Sequence, residues 1–295
     1  MTAIVVGVDG SDDSIAALDW AAESAATRSF SLQLVHCVRW LPPVSVSRFP
    51  APPGSGARPG AAVVAEATTR CRLTVPDVPV TAGVSATAPA AALVERSGRA
   101  ELVVVGSRGS GGRAGLGTVT DVVASYARCP VVVVPRGTGP ATPGRPVVVG
   151  IGRTSSSTDV LGFAFDEAAR RGTRLVALHS GHLTVLSAAL TGWREKYPQV
   201  PVTERRASAP AAEALAVEAL GAALVVVGAR GRQRPGPAVL GPVSQQLLER
   251  AQCPVAVVRP SSAGSPQGLA GRLSRRPTEP DGEMPRIRTH LWPSP

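Results

Sequence analysis

The sequence predicts an α/β protein built from two tandem domains, each an open, doubly wound parallel sheet. Val-rich runs of four to six residues alternate with Ala-rich helical segments, which is typical of parallel strands covered on both faces. A buried strand that ends in Gly-x-x-Gly occurs twice, at 103–109 and again at 225–231. A chain of 295 residues also suits two domains rather than one.

The duplication can be followed along the chain by constant offsets. The matching pairs are Gly7 with Gly150 and His36 with His179, Gly106 with Gly228, and Cys129 with Cys253. The second copy is shorter between its second and fourth strands. The first copy has the corresponding excess in a Pro-, Gly- and Ser-rich loop at 42–59, which cannot be regular structure.

The elements of the first copy follow in order from this alternation. Ser11 is placed to cap the first helix, and Asp12 and Asp13 suit its first turn. Short connections imply right-handed crossovers, and such sheets bind ligands at the carboxyl ends of the strands where the strand order reverses. We predict strands at 3–8, 31–38, 78–85, 101–106 and 131–134, helices at 12–26, 61–73, 89–97 and 117–127, and the same series again over 147–258.

Composition shifts predict the domain boundaries. The first domain spans 1–136, a Gly-, Pro- and Thr-rich linker follows at 137–145, and the second domain spans 146–260. Residues 261–295 are rich in Ser, Pro, Gly and Arg without periodicity, which predicts a disordered basic tail.

The formal charge of +10 does not indicate nucleic-acid binding. Lys196 is the only lysine, so the composition favours a high-GC genome over a selected acidic partner. A nucleic-acid site needs clustered basic residues with aromatics, whereas the arginines are scattered and the one dense run, 272–276, lies in the tail. Nucleic acid is therefore an unlikely partner.

The cysteines and the hydropathy predict a cytoplasmic protein. Cys37, Cys71, Cys129 and Cys253 are far apart and form no metal or disulfide pattern, which indicates small buried thiols. The N-terminus lacks a basic region before its first strand, and no apolar run approaches the roughly 18 residues of a membrane span. We expect a reduced compartment and no membrane.

The glycine loops predict an anion site. Glycines let the backbone approach a phosphate, and the free amides at a helix N-terminus face it. Asp9 ends the first strand and can accept hydrogen bonds from a base or ribose, while Gly106 ends the fourth strand across the reversal of strand order. Thr118 begins the following helix and offers a hydroxyl. Arg108 is as consistent with a solvated charge as with a phosphate contact.

The combination of these motifs resembles the universal stress protein family. The resemblance covers nearly everything from 3 to 260, in tandem, and rests on four segments: Val-Val-Gly-Val-Asp-Gly-Ser at 5–11, Leu-Val-His at 34–36, Val-Val-Gly-Ser-Arg-Gly at 104–109 and Cys-Pro-Val-Val-Val-Val at 129–134. It implies a five-stranded, Rossmann-like (HUP-type) parallel sheet in each domain. It also implies that the domains pair through their last strands as an internal dimer, and that the role is linked to stress or dormancy.

One branch of the family binds ATP, and its pattern carries over unevenly. That pattern is an Asp after the first strand and a loop of Gly, two residues, Gly, nine residues and Gly-Ser/Thr. The matching positions are Asp9, Gly106, Gly109, Gly117 and Thr118 with Arg108 in the first copy, and Gly228, Gly231 and Gly241 in the second.

Each copy departs from that pattern. The first has seven residues, 110–116, where nine are expected, and the second has Gly152 in place of the Asp and Pro242 in place of the Ser/Thr. Our hypothesis is that the first copy binds adenine nucleotide, ATP or AMP with or without Mg²⁺, and that the second is mainly structural.

Structural interpretations stand beside these functional ones. Asp9 is also suited to an Asx turn before a helix. Gly106 and Gly109 could be needed for a tight turn with positive φ. His36 and His179 recur inside apolar strands, which favours packed or strand-end histidines over catalysis.

The sequence does not indicate an enzyme. The one lysine, Lys196, is far from either glycine loop, so no Walker-type loop is present, and no Gly-x-Ser-x-Gly elbow occurs. We expect a binding and signalling module, which could also form a homodimer. The alternative is a nucleotide-free interaction scaffold whose glycine loops are purely structural.

Overall fold

A computed structural model describes residues 2–38, 59–109, 116–139, 142–152, 157–229, 240–259 and 289–291. The inserted loop of the first copy, apart from Pro59, lies outside these residues. The described residues form one continuous sheet with helices on both faces, which confirms the predicted doubly wound α/β architecture.

The elements of the N-terminal half agree with the predicted ones to within two residues at each end. The strands are β1 (Ala3–Gly7), β2 (Ser31–Cys37), β3 (Val80–Ser85), β4 (Leu102–Gly106) and β5 (Val131–Val134), and the helices are α1 (Asp12–Arg28), α2 (Gly60–Thr74), α3 (Pro89–Arg96) and α4 (Thr118–Tyr126).

The C-terminal half repeats the same order of elements. Its strands are β6 (Val147–Ile151), β7 (Leu175–His179), β8 (Val202–Arg206), β9 (Leu224–Gly228) and β10 (Val255–Val258), and its helices are α5 (Ser157–Arg170), α6 (Leu183–Lys196), α7 (Ala211–Ala219) and α8 (Pro242–Arg250).

The sheet joins the two halves through their last strands. Within each half all strands are parallel, in the orders β3-β2-β1-β4-β5 and β10-β9-β6-β7-β8. β10 then pairs antiparallel with β5, with Ala256 opposite Val132 at the centre. The strand order reverses between β1 and β4, so the carboxyl ends of these neighbours are where a ligand is expected.

The strand side chains point alternately into two core layers. Ile4 and Val6 of β1 pack beneath α1 and α2, whereas Val5 packs beneath α3 and α4 on the opposite face. Both faces of the central strands are therefore buried, which explains why these strands are continuous Val-rich runs rather than alternating ones: β1, β4, β5, β6, β9 and β10.

Helix α1 begins and ends as its sequence requires. The Ser11 hydroxyl accepts a hydrogen bond from the Ser14 amide at 3.3 Å, which confirms Ser11 as the N-cap. The helix continues two residues past its predicted end to Arg28. Ser29 is its C-cap residue and adopts the left-handed conformation with φ of 54°.

Parts of the linker and the tail are also described. Gly137 and Gly144 have φ of 78° and 80° in the linker, where glycine is favoured. Thr289–Leu291 forms β11, parallel to β3, so these three residues of the predicted disordered tail have regular structure. Residues 260–288 and 292–295 lie outside the described residues. The domain boundaries stay a prediction.

Among the described residues, no helix is long and apolar enough to cross a membrane. The four cysteines are free thiols: Cys71, Cys129 and Cys253 are buried and Cys37 is half-buried. Burial raises the pKa of the Cys71 thiol to about 11 and that of the Cys253 thiol to about 12.

Candidate functional site

The turn after β1 and the loop after β4 face each other at the carboxyl edge of the sheet. A Cβ atom placed on Gly109 would lie 3.0 Å from Asp9 Oδ2. The carboxylate therefore approaches the backbone of Gly109 closely, and a side chain there would crowd it. Asp9 therefore lies next to the glycine loop, as predicted.

The Asp9 carboxylate is also held by its own turn. Its Oδ1 accepts hydrogen bonds from the Ser11 amide at 3.0 Å and from the Ser11 hydroxyl at 2.5 Å. Gly10 between them has φ of 78°, a value that favours glycine. The Asx-turn interpretation is thus correct as far as Oδ1 is concerned. It is compatible with a ligand role, since the turn orients Oδ2 toward the loop.

Gly106 is required by packing and not by its backbone conformation. A Cβ on Gly106 would lie 2.7 Å from the Asp13 carbonyl carbon and 2.8 Å from Asp13 Cβ. Neither Gly106 nor Gly109 has positive φ, so the prediction that a tight turn demands it is wrong at both positions. The first turn of α1 instead packs directly on the end of β4.

Asp13 holds the start of the glycine loop, a role that the sequence analysis missed. Its Oδ1 accepts hydrogen bonds from the Ser107 hydroxyl at 2.7 Å and from the Arg108 amide at 3.2 Å. Asp13 is buried, whereas Arg108 is exposed. In the sequence Asp13 is an acidic residue suited to a first helical turn, so no local signal indicates a contact with β4.

The N-terminus of α4 closes the described part of this loop. The Gly117 amide donates to the Ser107 carbonyl at 3.0 Å, and the Thr120 hydroxyl donates to the Gly106 carbonyl at 2.8 Å. Gly117 has no side chain with which to cap the helix, and Thr118 is exposed in the first turn. The first amides of α4 and the Thr118 hydroxyl are therefore placed where an anion can bind.

The second copy closes its loop in the same way. The Gly241 amide donates to the Ala229 carbonyl at 2.8 Å, and the Ser244 hydroxyl donates to the Gly228 carbonyl at 2.7 Å. Ser244 occupies the position of Thr120, so comparing the two repeats could have found this pair. The glycines that begin and end each loop thus have a structural role in both halves.

The two copies differ in the groups that would contact a ligand. Pro242 begins α8 where Thr118 begins α4, and proline brings neither an amide N–H nor a hydroxyl. Gly152, which replaces Asp9, is exposed. Residues 110–115 of the first loop and 230–239 of the second, with Gly231, lie outside the described residues.

His36 and His179 have equivalent structural contacts. The Nδ1 atom of His36 is 2.8 Å from the Val8 carbonyl oxygen, and that of His179 is 2.9 Å from the Ile151 carbonyl oxygen. A carbonyl only accepts, so each Nδ1 carries the hydrogen. These bonds tie the second strand of each half to the residue at the end of the first, as strand-end histidines would.

A small cavity lies beside the Asp9 turn. It measures about 80 Å³ and lies between α1 and α2, where it is lined mainly by apolar side chains, including Val8, Ile15 and Val63. Pockets for drug-sized ligands measure about 300–1,000 Å³. This cavity is therefore too small to enclose a nucleotide.

No group of three or more His, Cys, Asp or Glu side chains that could hold a metal occurs within the described residues. The polar groups along the edge, which are amides, a hydroxyl and a carboxylate, suit a sugar and a phosphate.

Comparison with known proteins agrees with the repeated sheet. The profile of the universal stress protein family matches residues 1–135 and 181–259. A universal stress protein of Mycolicibacterium smegmatis is 36% identical over 289 residues, covering 87% of this chain and 97% of its own. Universal stress protein Rv2623 of Mycobacterium tuberculosis is 35% identical over 292 residues, with coverage of 88% and 96%.

Solved structures show the same fold at lower identity. A putative universal stress protein from Pseudomonas aeruginosa superimposes with a TM-score of 0.61 at 15% identity, covering 92% of this chain and 96% of its own. A universal stress protein from Archaeoglobus fulgidus gives a TM-score of 0.59 at 16% identity, with coverage of 87% and 98%. From its repeated motifs, its sheet and these relatives, the chain belongs to the universal stress protein family.

Proposed function

We propose that the N-terminal half binds an adenine nucleotide, ATP or AMP, and that the protein acts as a cytoplasmic stress-response regulator. The approach of Asp9 Oδ2 to the backbone of Gly109 carries this proposal. A carboxylate that can bind the nucleoside thus lies beside a glycine loop that can bind the phosphates, at the point where the strand order reverses.

Each predicted group has a place in such a complex. Asp9 would accept hydrogen bonds from the ribose or base, and the first amides of α4 with the Thr118 hydroxyl would donate to a phosphate. Arg108 is exposed beside the loop and would add positive charge. Mg²⁺ would bind through the phosphates of ATP.

We expect the C-terminal half to be mainly structural. Its loop is closed by the same backbone and hydroxyl contacts, yet Gly152 offers no carboxylate and Pro242 no amide or hydroxyl. The expected stoichiometry is one nucleotide per chain.

Isothermal titration calorimetry with ATP and AMP tests the proposal. Asp9→Ala should weaken binding about 10- to 100-fold, the loss expected for hydrogen bonds to a charged group. Asp77→Ala is the matched control, because Asp77 is exposed in the turn between α2 and β3, at the opposite edge of the sheet. Unchanged affinity in Asp9→Ala would contradict the assignment of this carboxylate.

The scaffold alternative predicts a different result. It rests on the observation that Asp9, Gly106 and Gly117 all have structural contacts that require no ligand. If neither ATP nor AMP gives a binding isotherm, and the boiled supernatant of the purified protein holds no adenine nucleotide, the scaffold is the correct function.

We also expect binding without turnover. A phosphate-release assay with wild-type protein should stay at the level of the buffer. Release that disappears in Asp9→Ala would instead identify a nucleotide hydrolase.

A further inference from the structure

The two halves meet where α1 and α5 lie side by side over the central β5–β10 pair. In this contact the repeats are related by 143 positions, so Arg28 corresponds to Arg171 and Trp20 to Phe163. The Arg171 guanidinium lies 5.4 Å from the Trp20 ring centre, and the Arg28 guanidinium lies 5.9 Å from the Phe163 ring centre. The aromatic contacts are thus reciprocal, as a two-fold relation requires.

The carboxylate between the two equivalent arginines breaks this symmetry. Glu167 of α5 corresponds to Ser24 of α1. The Glu167 carboxylate forms ion pairs with both equivalent arginines, with Arg28 Nη2 through Oε1 and with Arg171 Nη2 through Oε2, the latter at 3.0 Å. The Ser24 hydroxyl only accepts a hydrogen bond from Arg28 Nε at 3.1 Å. A single carboxylate therefore serves two cations, and it comes from the C-terminal half alone.

The second acid in the contact has an acidic equivalent in the first repeat. Asp166 Oδ2 lies 3.4 Å from Arg28 Nη1 and 2.9 Å from Arg170 Nε. Its equivalent in the first repeat is Glu23, which is also acidic. Asp166 could thus be replaced by Glu23 in a symmetric arrangement, whereas Glu167 could not be replaced by Ser24.

The Arg28–Glu167 pair is deeply buried. Glu167 is 2% exposed and Arg28 is 5% exposed. Burial raises the pKa of the Glu167 carboxyl, but the guanidinium groups of Arg28, Arg171 and Arg170 outweigh it, and the pKa lies below its ordinary value. Removing one partner of such a pair leaves a buried charge uncompensated, which is strongly destabilising.

We propose that Glu167 makes the pairing of the halves selective, so that the α1 face accepts α5 and rejects α1 of a second chain. A pair of two N-terminal halves would bring two Arg28 side chains together with two Ser24 hydroxyls and no carboxylate at that position. A pair of two C-terminal halves would place two Glu167 carboxylates where one now bridges two cations.

In the whole chain the exchange of one half is coupled to the exchange of the other. Two chains that exchange like halves must form an N-terminal pair and a C-terminal pair together. The loss of the Glu167 carboxylate from the Arg28 side chains of the N-terminal pair therefore cannot be avoided by favouring the C-terminal pair. Specificity of this kind arises from a penalty on the wrong partner as much as from contacts with the right one.

The register of the central strands supplies a reporter for the wrong pairing. Val132 of β5 lies opposite Ala256 of β10, and these two are equivalent positions in the repeats. In a pair of N-terminal halves, residue 132 would face residue 132 of the other chain. In full-length Val132→Cys protein, an interchain disulfide at this position therefore reports exchange, and directly opposed strand residues are close enough for it.

The test combines this reporter with three variants. Glu167→Ser should increase the disulfide-linked dimer at least several-fold on a non-reducing gel and lower the urea midpoint by about 1 M. The double variant carries Ser24→Glu and Glu167→Ser, which moves the carboxylate to the equivalent position in the first repeat. It should restore the amount of disulfide-linked dimer and the urea midpoint toward the values of the Val132→Cys protein. Glu213→Gln, an exposed change in α7, should have no effect.

Each outcome decides the proposal. It is overturned if Glu167→Ser does not increase the dimer, or if the double variant behaves like Glu167→Ser. Should Glu167→Ser be insoluble, Glu167→Gln takes its place. If that variant is insoluble too, a soluble double variant supports the proposal and an insoluble one overturns it.

Discussion

Gly106 packs directly on Asp13, with no space for a side chain between the end of β4 and the first turn of α1. A Cβ on Gly106 would come within 2.7 Å of the Asp13 carbonyl carbon. This contact brings the turn after β1 and the glycine loop together. Because one partner is backbone, the contact cannot be relieved by rotating a side chain.

We therefore expect Gly106→Ala to lower the free energy of unfolding by about 1–3 kcal/mol, as overpacking a core does. Urea unfolding measures the change. Gly192→Ala is the matched control, because Gly192 is exposed in α6 with open space around its Cα. Alanine there should stabilise the helix by about 0.5–1 kcal/mol. Equal stability of the two variants would contradict the steric argument.

Asp13→Ala should loosen the glycine loop, because the Ser107 hydroxyl and the Arg108 amide would lose their acceptor. We expect a loss of stability of about 1–3 kcal/mol and a weaker nucleotide affinity. Asp12→Ala is its control, since Asp12 lies in the same helical turn but pairs with Arg136 in solvent. Calorimetry and urea unfolding on both variants measure the two effects, and wild-type behaviour of Asp13→Ala would refute this role.

Thr118→Pro should weaken nucleotide binding without destabilising the fold. Pro242 occupies the equivalent position in α8, and Gly117 and Gly241 have nearly the same conformation, with ψ of 143° and 154°. The substitution removes an amide and a hydroxyl from the candidate phosphate site but suits the start of a helix. We expect nucleotide affinity to fall about 10- to 100-fold with little change in thermal stability.

The reciprocal variant, Pro242→Thr, should leave the affinity of the N-terminal half unchanged. An unchanged nucleotide affinity in Thr118→Pro would exclude the N-terminus of α4 from the phosphate site.

Glu167 gives a prediction for acid stability. A carboxyl whose pKa is lower in the folded than in the unfolded protein adds stability above its unfolded pKa, and this is lost as the pH falls through the folded pKa. The ordinary value for Glu167 is 4.5, and its folded pKa lies below that. The stability difference between wild type and Glu167→Gln should thus be constant near neutral pH and shrink below about pH 4.5.

Urea midpoints from pH 7 down to pH 3 measure this difference, with Glu213→Gln as the control that follows wild type throughout. A difference independent of pH over that range would show that the Glu167 charge does not stabilise the fold.

The sequence by itself determined the repeat and the order of the elements, and in the first copy it also determined their bounds to within two residues. It also determined that Asp9 and Gly109 would meet, since the carboxyl ends of neighbouring parallel strands lie at one edge of a sheet. These features have local causes, namely hydrophobic period, capping by Ser11 and glycine placement, which are visible in a short window of residues.

Only the tertiary structure decided why Gly106 is glycine, that Asp13 holds the loop, and that Glu167 bridges two arginines. Asp13 and Arg108 are 95 residues apart, and Arg28 and Glu167 are 139 apart. Such contacts leave no local signal, because an acidic residue on a helix looks the same whether solvent or another segment faces it. Asp13 and Glu167 are buried against other segments because α1 packs against β4 and α5 packs beside α1.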